Sequence, residues 1–145
     1  MYLFDTNIIS ETRKPRPHPA VLAWIRSARE SEIFLAAVTL GELQKGVELT
    51  RRQNPQKAEE ISAWVDRLAS VYEILPAGEP VFREWARMLK GRTEPKWEDG
   101  LIAATARFHR LIIVTRNVKD FEAFDVKVLN PFPVAEIRAS DGEQV

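Results

Sequence analysis

A chain of 145 residues has the size of one domain with room for a real core, and 45% hydrophobic against 29% charged residues argues against disorder. Lys plus Arg number 21 and Asp plus Glu number 21, so no global charge draws the chain to nucleic acid and any such role must come from local patches. The absence of cysteine excludes disulfides, thiolate chemistry and Cys-based zinc sites. Together with the lack of a signal-peptide pattern or a membrane-length apolar run, it predicts a cytoplasmic chain without membrane contact.

In chain order, residues 2–5 ("YLFD") read as a buried strand ending in a carboxylate, followed by the short helix "TNIISE". "TRKPRPHP", 12–19, is a basic loop whose alternate prolines forbid a regular helix. "AVLAWIRSA", 20–28, sets Val21, Trp24, Ile25 and Ala28 on one helical stripe, with Pro19 suited to the first turn. "IFLAAVT", 33–39, is a second short apolar run, read as a strand over 33–38, and Thr39 is expected to cap the helix "LGELQKGVEL". Asn54 or Pro55 opens a long helix on which Ile61, Trp64, Val65, Leu68 and Val71 keep helical spacing. "YEILP", 72–76, reads as a third strand, followed by helices over 79–91, stopped by Gly91, and over 97–110. "LIIVT", 111–115, and "VKVLN", 126–130, complete the strands. Residues 1–133 are expected to form the domain, and 134–145 a frayed polar tail. Short apolar strands alternating with longer helices predict an α/β fold with a parallel sheet covered on both faces.

In open parallel sheets, ligands bind beyond the carboxyl ends of the strands. Asp5 ends the first strand, and Asn117 follows the "IIVT" strand with Asp120 close behind. Glu42 sits between Leu40 and Leu43 in the first turns of a helix, and Asp99 heads the stripe Ile102, Ala103 and Ala106. Each has a plain alternative: Asp5 a helix cap, Glu42 an exposed helix acid, Asp99 a favourable first-turn residue, Asp120 the cap of a turn. The set is what carries weight. Carboxylates forced together repel, and a hard divalent ion relieves the repulsion. Magnesium, which uses one or two carboxylates directly and keeps several waters, suits such a cluster, and the chemistry it suits is phosphodiester hydrolysis.

The blocks "FDTNIISE", "TLGELQKGV", "DGLIAATA" and "VTRNVKDFEAF", in this order, resemble the PIN-domain ribonucleases, specifically the VapC/FitB-like toxins of type II toxin–antitoxin pairs. The resemblance runs from Tyr2 to about Phe132. It implies a three-layer α/β/α fold with a central parallel sheet of four to five strands. It implies a Mg2+-dependent endoribonuclease, with Mn2+ as a substitute, whose first, second and third acids are Asp5, Glu42 and Asp99. Asp5 and Asp99 would hold the metal, with Thr6, Asn7 and Thr115 in support. Asn117 stands where the family often has Asp, so Asn117 or Asp120 completes the catalytic set; the departure leaves open the metal count and a second reading, a catalytically weak PIN scaffold binding RNA or protein. The resemblance further implies a homodimer and a cognate antitoxin whose tail enters the acidic groove. Operator DNA would be contacted only through that antitoxin.

His18 and His109 are too few for a metal triad. Glu98 points about 100° away from Asp99 around the helix and is expected to be a solvated acid. Glu11 is expected in a surface or salt-bridge role. Trp24, Trp64 and Trp85 read as core or dimer contacts, and Trp97, just before the acidic helix, as the one to examine near the site. Arg13, Lys14, Arg16, Lys96 and Arg116 are candidates for a rim contacting RNA phosphates. An aspartate-nucleophile phosphohydrolase is disfavoured because Asn7 stands where its second acid would be, and no glycine-rich phosphate loop is present.

Overall fold

The computed structural model describes residues 1–91 and 96–133. Five short strands form one sheet: β1 (Tyr2–Phe4), β2 (Ile33–Ala36), β3 (Glu73–Leu75), β4 (Ile112–Val114) and β5 (Val128–Leu129). Their order is β3-β2-β1-β4-β5, and every pairing is parallel. Leu3 sits in register with Phe34 on one side and Ile113 on the other. The chain builds outward from β1 in one direction and then crosses back to build outward in the other. The crevice beyond the carboxyl ends of β1 and β4 is therefore the topological switch point.

Among the described residues, six α-helices connect the strands: α1 (Thr6–Glu11), α2 (Pro19–Ser27), α3 (Ala37–Arg51), α4 (Pro55–Val71), α5 (Glu79–Leu89) and α6 (Trp97–His109). Alternation along a strand sends neighbouring side chains to opposite faces, so each strand feeds two cores. Leu3 and Ile113 pack with Val81, Met88, Ile102 and Ala103 of α5 and α6. Phe4 and Val114 pack with Ile8, Val21, Val47 and Val65 of α1 to α4. The result is the expected three-layer α/β/α arrangement, with five strands.

Local chemistry explains most helix ends. Asn54 Oδ1 accepts from the Lys57 amide and opens α4. Pro19 takes the first position of α2, and His18 caps it through Nδ1, which accepts from the Ala20 amide. α5 ends at Leu89, with Lys90 and Gly91 both at positive φ, where glycine carries no steric penalty.

Thr39 departs from expectation. α3 already starts at Ala37, and Thr39 lies fully buried within it instead of capping it. A continuous apolar run has no periodicity that separates a buried strand from a buried helix. Here the ladder decides: the last β2–β3 pair is Ala36 with Leu75, and the chain turns helical where strand partners run out. The tail expected over 134–145 lies outside the described residues.

Candidate active site

β1 does not stop at Phe4 in hydrogen-bonding terms. The Asp5 amide donates to Val114 O at 2.9 Å, which carries the carboxylate one step past the sheet edge. Asp5 is 7% exposed, and a carboxylate so buried needs partners. It has them: Oδ1 accepts from the Thr6 amide at 2.8 Å, and Oδ2 accepts from Thr115 Oγ1 at 2.8 Å and from Asn7 Nδ2 at 3.2 Å. Thr115 Oγ1 in turn accepts from Asn7 Nδ2 and from the Asn117 amide. Asn7 Oδ1 accepts from the Arg116 amide. Thr6, Asn7 and Thr115 thus lock the exits of β1 and β4 together around one acid.

Glu42 arrives on α3, where its Oε1 accepts from Thr6 Oγ1 at 3.1 Å. Asp99 arrives in the first turn of α6. Its neighbour Gly100 explains how closely α6 approaches α5, since a Cβ there would lie 2.8 Å from the Trp85 indole nitrogen. Asp5, Glu42, Asp99, Asn117 and Asp120 all line one hollow of about 370 Å³ at the switch point.

Two further residues line it beyond those the sequence singles out. Glu98 borders the same hollow, although its place on the helix predicts a solvated acid. The 100° separation from Asp99 is real, but the hollow lies beyond the end of α6, where successive first-turn side chains reach one space. Ser10 also lines it, one helical turn after Thr6 and Asn7, a spacing visible in the sequence. Of the two roles expected for Glu11, the structure shows the salt bridge, to Lys14 at 2.7 Å, and not the surface one, since Glu11 is 5% exposed. Of the candidate phosphate-contacting residues, Lys96 lines the hollow, whereas Arg13 lies over the Trp64 ring and Lys14 pairs with Glu11. Trp97, 53% exposed, lines with Phe82 an adjoining apolar groove that shares Glu42 and Glu98 with the hollow.

Among the described lining residues, five carboxylates face a single lysine. Three of them are reluctant acids. Burial pushes the Asp99 carboxyl up from its ordinary 3.8 to about 6, with the charges of Asp5, Asp120 and Glu42 adding to the rise and Lys96 opposing it. Burial likewise raises Glu42, with Asp5 and Glu98 adding to it against the Thr6 hydrogen bond. Asp5 is raised by burial despite the opposing bonds from Thr115 and Thr6.

Among the described residues, no three Asp, Glu or His side chains form a tight ready-made metal cage. The donors suit instead a hard cation that brings its own waters: all are oxygen atoms, they surround one hollow, and their ionised forms repel. Asp5 and Asp99 are among the acids of this hollow that could hold it.

The model of the PIN domain matches residues 2–127. Toxin FitB of Neisseria gonorrhoeae is 37% identical over 139 residues, 91% of this chain and 99% of that protein. VapC ribonuclease Y4jK of Sinorhizobium fredii is 34% identical over 146 residues, 93% of this chain and all of that one. A solved structure of FitAB bound to an IR36 DNA fragment superposes with a TM-score of 0.82 at 34% identity, covering 92% of this chain and 97% of that one. With this fold, this strand order and these relatives along nearly its whole length, the chain belongs to the PIN-domain family, alongside the FitB and VapC proteins.

Proposed function

We propose that this chain is a Mg2+-dependent endoribonuclease and the toxin of a toxin–antitoxin pair, working in the cytoplasm. The observation that carries the reading is the convergence of Asp5, Glu42, Asp99 and Asp120 on one hollow at the switch point, with burial and neighbouring charges raising Asp5, Glu42 and Asp99. The names of its relatives, a toxin and a VapC ribonuclease, support it.

A bound divalent cation supplies Lewis acidity toward a phosphodiester and lowers the pKa of water. The chain's own residues do the rest. Asp5 and Asp99 are the residues that would hold the cation. Thr115, Asn7 and the Thr6 amide orient Asp5, so its carboxylate needs no reorganisation on loading. Glu42, with Oε1 held by Thr6, presents Oε2 to take a proton from water. Asp120 adds charge through water, and Asn117 offers an amide to a phosphate oxygen.

The partners follow from the same reading. RNA is the substrate. A cognate antitoxin covers the hollow, and operator DNA is reached through it; the similarity to FitAB bound to DNA supports that arrangement. A homodimer is supported by the exposed Phe82 and Trp97, since large apolar patches mark protein contacts.

The replacement of an acid by Asn117 favours one rival, a binding scaffold that does not cut. The deciding experiment incubates the purified chain and its Asp5→Asn variant with structured RNA, with Mg2+ and with chelator. Cleavage by the parent with Mg2+ alone is expected. Binding without cutting establishes the scaffold instead, and equal cutting by the variant points to a contaminant.

A further inference from the structure

An acidic hollow poses a problem for a polyanionic substrate, because five carboxylates repel the phosphates that must approach. Cations lie in the segments that follow α1 and β4, and Glu11, a buried acid that does not line the hollow, contacts this group. Glu11, the last residue of α1, uses both carboxylate oxygens to tie down the loop that follows. Oε1 accepts from the His18 amide at 2.9 Å, and Oε2 pairs with Lys14 at 2.7 Å. Burial works against its ionisation, but Lys14, the His18 amide and the charge of Arg116 outweigh it and lower its pKa, so Glu11 is firmly ionised.

A second fastening meets the first. The Arg116 guanidinium lies over the buried Phe132 ring at 4.5 Å, and the His18 ring packs edge-on against the same ring at 5.4 Å. Meanwhile the Arg116 amide donates to Asn7 Oδ1, one of the groups orienting Asp5. Arg116 is thereby tied to the catalytic edge through its backbone and to the basic loop through Phe132. Arg13, Lys14, Arg16 and Arg116 outnumber the one carboxylate among them, and the side chain of Lys14 stays 55% exposed. The arrangement leaves cationic capacity facing solvent.

We propose that Glu11 is a positioning residue which, with the Phe132 ring, holds Arg116 and Lys14 as a rigid phosphate clamp for the RNA strand entering the hollow. The inference rests on the ribonuclease reading. Glu11 does not line the acidic hollow; it acts through the Lys14 and Arg116 side chains it orders.

Charge alone and positioning predict opposite signs. Glu11→Gln removes a negative charge and would tighten RNA binding if only the net field mattered. As a positioning residue, its loss weakens binding by about fivefold and lowers the slope of log affinity against log salt by about 1, as expected when one phosphate is no longer neutralised. The measurement is fluorescence anisotropy of a labelled single-stranded RNA over a salt series, in the uncut Asp5→Asn background. In the background with Asp5 intact, the loss falls on KM more than on kcat. Arg116→Ala has a similar effect on binding, and the two changes together cost little more than one, because they break the same clamp.

Tighter or unchanged binding by a Glu11→Gln protein that melts normally overturns the proposal. Should that variant fail to fold, Phe132→Leu, which keeps apolar bulk and the Glu11 charge but removes the ring, decides instead: weaker binding supports the clamp and unchanged binding overturns it. No binding by the parent overturns the RNA reading and the clamp together, whereas parent binding with indifferent variants overturns the clamp alone.

Discussion

The two walls of the acidic hollow are built on different principles. The sheet wall is preorganised: Asp5 is 7% exposed, accepts three hydrogen bonds from Thr6, Asn7 and Thr115, and joins the β1 and β4 exits. The helix wall is governed by charge: Glu42, Glu98 and Asp99 are only half-buried, and Asp99 carries a carboxyl pushed up to about 6 by burial and by its acidic neighbours. One wall is finished by folding. The other would need a cation to offset its repulsion, as the proposed metal site implies.

The largest expected effect tests the finished wall. Asp5→Asn removes the charge with little change of shape, and we expect single-turnover RNA cleavage to fall at least about a hundredfold. Glu42→Gln should cost less, since it acts on a proton and not on cation binding. If the order reverses, the sheet wall is not the anchor.

Next comes Thr115→Val. Thr115 is fully buried, and its hydroxyl serves Asp5, Asn7 and the Asn117 amide. Valine keeps the volume but strands those partners, at a cost of about 1–3 kcal/mol in urea unfolding. A neutral result would show that the preorganisation is ornamental.

The helix wall should reveal itself through pH. A carboxyl whose folded pKa lies above its unfolded value binds more protons when folded, so it stabilises at low pH and loses that stability as pH rises. For Asp99 the window runs from about 3.8 to about 6. The cation-free protein should therefore lose melting temperature across that window, and stabilisation by added Mg2+ should grow as pH passes 6. Asp99→Asn should flatten both trends; thermal melts at about pH 4, about pH 6 and about pH 8, with and without Mg2+, provide the comparison. The smallest effect is expected for Glu98→Gln, a few-fold change in the Mg2+ concentration giving half-maximal cleavage. No change there would remove Glu98 from the functional wall.

Much of this is legible in the sequence for a local reason. Asp5 stands out because a short apolar strand ends in a carboxylate, and Asp99 because a stripe of small residues follows it. The cap at Asn54 and the proline opening α2 are likewise decided within a few residues. Thr39, Glu98 and Glu11 are not legible, and each for a long-range reason. Thr39 depends on where the β2–β3 ladder runs out of partners. Glu98 depends on a hollow formed jointly by α6, α3 and α1. Glu11 depends on a loop folding back to bring the His18 amide onto its carboxylate.

The sequence by itself determined the alternation of strands and helices, the parallel sheet, and which acids end strands or begin helices, because periodicity and capping act over a few residues. Tertiary structure alone decided which charges share a space and which are fastened away from it. Burial and repulsion depend on distances between segments far apart in the chain: Asp5 meets Thr115, and Glu42 meets Thr6, only once the sheet order has brought their strands together.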